Sequence, residues 1–193
     1  MSTRRTMTTF PGVAVGKLAI CLVILGMASL LAMSPASAAG QKPLFNKPVY
    51  HAPSKSYFEL VMMNTTKRWR NAHAEAAQRT YKGTRGHLAV VDSWDLHEFL
   101  RKTFRPNAPT WFGLRYWCNV RKLQWVTGEV LERDQFSIWN MPWDLSDNTG
   151  CRGFQGNYMP VFYTPDQRGF RWAAQGIAKF YHYYLVQYPT GEE

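Results

Sequence analysis

Only three cysteines occur among 193 residues, and none form a C-x-x-C pair. Structural zinc sites draw on Cys and His at such spacings, so a zinc-organised fold has no support. The longest uncharged apolar run, Leu18–Met33, falls short of the ~20 residues a membrane span needs, and Pro35 follows it closely. No self-similar period of 20–50 residues is present, which excludes a repeat array. There is no Gly-x-Ser-x-Gly, no P-loop and no Gly-x-Gly-x-x-Gly. Gly150, Gly153 and Gly156 stand three apart, as in a flexible loop rather than a dinucleotide turn. His97-Glu98 begins like a zinc-protease helix, but Arg101 stands where its second His belongs. The chain is therefore read as non-enzymatic. Acidic residues are also scarce, 13 against 23 Lys and Arg, for a formal charge of +10. What is abundant is aromatic: 8 Trp, 10 Tyr and 11 Phe exclude wholesale disorder.

A charge of +10 beside many aromatics suggests nucleic acid until the first forty residues are considered. Residues 1–17 carry Arg4, Arg5 and Lys17 and no acid; Leu18–Met33 is apolar; Ala36-Ser37-Ala38 follows. A basic start, an apolar run and an A-x-A site together describe a secretory signal peptide over residues 1–38. Its removal leaves the mature chain at +7, outside the reach of cytoplasmic nucleic acid. An exported, periplasmic, extracellular or cell-surface location follows, with no membrane span after cleavage. Anionic glycans or surface polymers become the partners that a positive field would attract. Cys21 leaves with the signal. Cys118 and Cys151 remain, either as one disulfide, the expectation for an exported domain, or as two buried thiols.

Residues 39–55, with Gly40, Pro43, Pro48 and Pro53, read as an extended lead-in. Ser56–Met63 reads as a strand, and Thr65 or Thr66 as the cap of a helix whose apolar face is Trp69, Ala72, Ala76 and Ala77. A second helix starts at Ser93, with Asp95 in its first turn, Leu96, Phe99, Leu100 and Phe104 on one face, and Arg101 and Lys102 at its end. Strands are then expected at Thr110–Tyr116, Leu123–Val126, Tyr158–Tyr163, Phe170–Ala173 and Phe180–Tyr188. A long polar loop separates Glu129 from Gly156. Strand, two helices, then several strands indicate an α+β domain over residues 56–189, with 190–193 as a tail.

The order of Trp69-x-x-Ala72-x-x-x-Ala76, Arg85-Gly86-His87-Leu88-Ala89-Val90-Val91, Trp111-Phe112-Gly113-Leu114, Trp125-Val126-Thr127-Gly128-Glu129 and Tyr184-Leu185-Val186-Gln187-Tyr188-Pro189 resembles the C-type lectin-like domain. The opening Tyr57-Phe58-Glu59 is similar to its bacterial branch. The resemblance implies two helices flanking small antiparallel sheets, with paired chain ends and a long loop carrying the ligand site. Sugar-binding members hold calcium through a Glu-Pro-Asn or Gln-Pro-Asp triplet in that loop and a Trp-Asn-Asp triplet in a later strand. Here Met141 and Trp143 stand at the first triplet, in the run Trp139-Asn140-Met141-Pro142-Trp143, and the second reads Trp172-Ala173-Ala174. Calcium takes six to eight oxygens, so two Ala in place of Asn and Asp remove two side-chain ligands. No metal site of the family type and no cofactor is expected. The family's usual disulfide positions are unmatched, so a Cys118–Cys151 bridge would be a local variant.

The resemblance makes the long loop the candidate ligand site: Trp139, Asn140, Trp143, Asp144, Asp147, Asn148 and Arg152 within it, with Tyr158 and Arg171 beside it. The aromatics could stack on sugar rings, the carboxylates and amides could supply oxygens, and Arg152, Arg168 and Arg171 could meet an acidic group. Trp139 is expected to pack inward and Trp143 to be partly exposed. The functional expectation is a glycan-binding module working without the usual calcium; the competing one is a protein-interaction or adhesion module on the same fold.

Overall fold

The structure, a computed structural model, describes residues 47–141, 151, 157–175 and 178–192. The export signal therefore lies outside the described residues, as do Trp143, Asp144, Asp147, Asn148 and Arg152.

The chain runs β1 (Val49–His51), β2 (Ser56–Lys67), α1 (Trp69–Gln78), β3 (Thr80–Tyr81), β4 (Thr84–Arg85), β5 (His87–Leu88), α2 (Trp94–Phe104), β6 (Thr110–Trp117), β7 (Lys122–Trp125), β8 (Val130–Leu131), β9 (Tyr158–Asp166), β10 (Gly169–Ala174) and β11 (Tyr181–Tyr188). Among the described residues the main sheet has the order β1-β2-β11-β6-β7-β8; β9 joins it at β6 and carries β10, while β5 joins at β11. β3 and β4 form a separate two-stranded ribbon. The two ends of the domain meet: β2 and β11 pair antiparallel from Tyr57↔Tyr188 to Lys67↔Tyr181.

The two helices form for different reasons. α2 carries its own signals: Ser93 Oγ accepts the Leu96 N–H at 3.3 Å, Asp95 sits in the first turn and Arg101 and Lys102 in the last. It buries Leu96, His97, Leu100 and Phe104. α1 has neither an acid in its first turn nor a base in its last. The expected cap at Thr65 or Thr66 does not form, because β2 continues through both to Lys67 to keep its pairing with β11; Arg68 takes the cap position without a side-chain cap bond. α1 is held by packing: Trp69, Ala72 and Ala76 are buried, while Ala77, expected on the same face, is exposed. The lead-in contributes more than an extended link, since Val49–His51 pairs with β2.

Two apolar cores lie on either side of the sheet. One gathers Phe112, Leu114, Tyr116, Trp125, Tyr163 and Trp172 with the α2 residues. The other gathers Trp69, Trp111, Phe162, Tyr184 and Tyr188. Each Trp also uses its indole N–H: Trp69 donates to the Phe112 carbonyl at 2.7 Å and Trp111 to the Lys67 carbonyl at 2.8 Å. β6 serves both cores by a shift in its pairing with β9 between Trp111 and Arg115. Within the shift, the Gly113 N–H donates to the Ala89 carbonyl at 2.8 Å and its carbonyl accepts from Val126 at 2.8 Å. A Cβ there would stand 2.6 Å from the Leu88 carbonyl oxygen and 2.9 Å from that of Ala89, which is why Gly stands in Trp111-Phe112-Gly113-Leu114.

A buried ion pair locks the ends. Arg79, just past α1, donates from Nη2 to Glu59 Oε1 at 2.7 Å and from Nε to Oε2 at 3.2 Å, and the Tyr188 hydroxyl donates to the same Oε2 at 2.7 Å. Cys118, at the end of β6, is disulfide-bonded to Cys151.

Candidate functional site

The long-loop region leaves the sheet after β8 and returns to β10. There the Trp172 N–H donates to the Ile138 carbonyl and the Asn140 N–H to the Trp172 carbonyl, each at 2.9 Å, so Trp139 forms a parallel bridge with Trp172. The Trp139 ring stands edge-on to Trp172 at 5.5 Å and is partly buried against the core. Trp172 itself is fully buried among Phe112, Trp125 and Phe136. Its indole N–H makes no hydrogen bond of ordinary geometry, although the Tyr163 hydroxyl is near enough to feel it.

Asn140 Oδ1 accepts the Met141 N–H at 2.9 Å, and the Asn140 carbonyl accepts from Arg168, which also pairs with Asp166 at 2.9 Å. Asn140 and Arg168 thus act on the loop's own backbone. Arg171 turns elsewhere: its Nη1 donates to the Phe170 carbonyl at 3.1 Å, and its charge reaches His97 of α2. Tyr158 is separate again. It pairs with Trp117 across β9 and β6 and meets Trp69 edge-on at 5.5 Å. Of the sequence-derived candidates that are described, the structure brings Trp139 and Asn140 together and sets Arg171 and Tyr158 in two other neighbourhoods.

Ala173 and Ala174 occupy β10 opposite Phe162 and Val161. The Ala173 methyl is 8% exposed and packs with Trp69, Trp111 and Phe162, while Ala174 packs against the other core. Among the described residues no group of three His, Cys, Asp or Glu stands close enough to hold a metal ion.

Two clefts flank the region. One, of about 610 Å³, is lined by Asp92, Glu129, Glu132, Gln135, Trp125 and Phe136. The other, of about 420 Å³, lies between the end of α2 and the β9–β10 turn, lined by Arg101, Lys102, Arg105, Asp166 and Phe170. His97 of α2 is 1% exposed and shares a 3.2 Å hydrogen bond through Nδ1 with the Tyr163 hydroxyl. Burial pushes its imidazole down to about 4; Glu98 opposes this, and Arg171 and Arg101 add to it. Glu98 is held at about 2, chiefly by its hydrogen bond from Arg101 and also by Lys102, with its modest desolvation opposing.

Sequence reasoning missed Arg115 and Trp117. Their guanidinium and ring lie 4.4 Å apart, on the sheet face that carries Tyr158. The signal was the apolar alternation of β6, which leaves position 115 facing away from the Leu114–Tyr116 core.

The family model for the lectin C-type domain matches residues 61–168. Solved structures share the fold at low identity. The C-type lectin CEL-I from Cucumaria echinata is 18% identical with a TM-score of 0.50, covering 69% of this chain and 89% of its own. Human lithostathine is 12% identical with a TM-score of 0.51, covering 72% and 85%. The cow CD23 carbohydrate-recognition domain, solved in the presence of a GlcNAc2Man3 oligosaccharide, is 18% identical with a TM-score of 0.51, covering 76% and 96%. A comparison with curated proteins finds no match. With more than half of its length matched by the family model, this chain belongs to the C-type lectin domain family.

Proposed function

We propose that the chain is an exported binding module that recognises a glycan, an acidic one in particular, without the calcium site of the family's sugar-binding members. The observation that carries this reading is the pair Ala173–Ala174. Where those members present Asn and Asp to the ion, this chain presents two methyl groups, one packed in the second core. Neither can ligate calcium or fix a sugar hydroxyl through one. The A-x-A signature ending at residue 38 and the Cys118–Cys151 disulfide support export. The surplus of basic residues supports an acidic partner.

A glycan array in millimolar calcium and again in EDTA tests the proposal. The expected result is the same set of glycans bound in both. No glycan bound in either condition overturns it; binding abolished by EDTA overturns its calcium-free part. A protein partner is the competing reading, favoured by the exposure of Met141 (70%) and Trp94 (54%), large apolar side chains of the kind that anchor interfaces. A stoichiometric protein captured in a pull-down and indifferent to added sugar would replace the glycan reading.

A further inference from the structure

Arg115 is a half-buried cation with no counter-charge among the described residues. The alternation that sends Leu114 and Tyr116 into the core sends Arg115 and Trp117 to the other face of β6. There Tyr158 of β9 stands opposite Trp117 on one side, while Gln124 and Lys122 of β7 stand opposite Arg115 and Trp117 on the other. α1 meets this patch with Trp69, and the exposed Arg70 follows it. The guanidinium lies 4.4 Å from the Trp117 ring centre, 5.7 Å from Trp69 and 5.9 Å from Tyr158.

Ring contacts orient a guanidinium but leave its five N–H donors unused. Arg115 Nε is buried and has no acceptor, and no described Asp or Glu offsets the burial that pushes this group's pKa down. His73, stacked on Trp69 at 5.0 Å, repeats the pattern: its Nδ1 is buried without a partner, and burial, then Arg115 and His87, hold it below the ordinary histidine value. The patch is fixed in place. Trp117 Nε1 donates to Gln124 Oε1 at 2.7 Å, and Gln124 Nε2 donates to the Gly128 carbonyl at 2.8 Å. A pre-set, half-buried guanidinium with exposed Arg70 and Lys122 on the neighbouring elements, and no acid paired with it among the described residues, lacks one component, an oxyanion.

We infer that this face of β6, β7 and β9 is an acid-recognition site, at which Arg115 grips a carboxylate or sulfate of an acidic polysaccharide while Arg70 and Lys122 engage neighbouring acidic groups. The forked donors of a guanidinium match both groups in bidentate fashion. The rings of Trp117 and Tyr158 beside it suit the C–H faces of a sugar better than the flexible side chain of an acidic peptide. The class of ligand rests on the glycan-binding reading above; the site itself does not.

Calorimetric titration with polygalacturonate, dextran sulfate, neutral dextran and poly-L-glutamate, on the wild type and on Arg115→Met, tests this. The expected result is binding of at least one acidic polysaccharide, tenfold or more weaker in Arg115→Met, with neutral dextran inert. The variant should melt no lower than the wild type, because Met fills the space of the Arg stem and removes a desolvated charge that nothing pairs. Arg115→Lys keeps the charge, loses the fork, and should also weaken binding several-fold. Equal affinity in wild type and Arg115→Met overturns the inference, as does a variant melting several degrees lower, which would make Arg115 structural. Preference for poly-L-glutamate would make the patch a surface for acidic proteins and overturn the saccharide assignment. Neutral glycans bound on the array with no polyanion bound would remove this site and the acidic preference, and leave the glycan-binding part of the proposed function standing. Polyanion binding lost in Arg115→Met, with an otherwise empty array, would keep the site and remove the long-loop reading.

Discussion

Acid should destabilise this domain in large part through one buried imidazole. His97 is 1% exposed, and its folded-state value is near 4 against 6.5 in an unfolded chain. Because the folded value is the lower of the two, the native state resists a proton that the unfolded chain accepts. Nothing is lost at pH 7.5, where both states are neutral. Between pH 6.5 and pH 4 the unfolded imidazole gains its proton alone and stability falls; below pH 4 this histidine's share levels off, and Glu98, held near 2, carries the loss further. The gap between the two values bounds the effect, which is on the order of 1 kcal/mol at pH 5.5 and about 2–3 kcal/mol at pH 4.5. Burial sets this value first; the charges that then act on it are Glu98 on α2, which opposes the shift, and Arg171 on β10 and Arg101 on α2, which add to it, while the Tyr163 hydroxyl shares the Nδ1 hydrogen bond. His73 is depressed too and adds in the same direction, so the wild-type pH profile alone does not isolate His97. The comparison is urea unfolding at pH 7.5, 5.5 and 4.5 for the wild type and for His97→Gln, which keeps an acceptor for Tyr163 but does not titrate. The variant should start less stable at pH 7.5 and lose on the order of 2–3 kcal/mol less than the wild type on the way to pH 4.5. Parallel losses in the two proteins would refute the assignment.

Three further outcomes follow from the packing. Glu59→Ala strands Arg79 and the Tyr188 hydroxyl, and since Glu59 is 3% exposed the loss should be about 3 kcal/mol in urea unfolding; under 1 kcal/mol would mean that water replaces the carboxylate freely. Reducing the Cys118–Cys151 bridge, whose partners are 33 residues apart, should cost about 3–4 kcal/mol on the chain-entropy estimate, and identical melts with and without reductant would count against it. Gly113→Ala drives a methyl to 2.6 Å from the Leu88 carbonyl oxygen, and because backbone rather than a side-chain tip must give way the loss should exceed about 2 kcal/mol; an unchanged melting temperature would show that β6 shifts readily.

The parts of the fold that were legible in the sequence are those whose cause is local. α2 announces itself through Ser93, Asp95, its apolar spacing and its terminal Arg101 and Lys102, and it forms where those residues place it. The Trp111–Leu114 strand and the closing β11 were readable as motifs, because Gly113 and the Trp rings answer to fixed neighbours. The start of α1 was not readable: Thr65 and Thr66 are good caps, yet pairing with β11 keeps them in a strand. β1 was hidden because three residues among prolines carry no periodicity of their own. Among site residues, the local role of Asn140 was not readable: its side-chain oxygen accepts the Met141 N–H, a contact set by the loop's path rather than by residue type. Arg115 was not singled out because nothing near it in sequence says that Trp69 and Tyr158 will close around it.

The pairing of Tyr57 with Tyr188 has a mechanical consequence. The domain's two exits emerge side by side, and the Gly191 N–H already holds the Lys55 carbonyl at 3.0 Å. Anchored through one end, the domain hangs like a bead from a thread and drag on a bound ligand puts no tension across β2 and β11. Pulled through both ends, the chain first loads the three rungs that hold β1 to β2, and once these part β2 and β11 are loaded like a zipper, one rung at a time from Tyr57 and Tyr188 inward. The lock of Glu59, Arg79 and Tyr188 sits at the first teeth of that zipper, where its opening would begin.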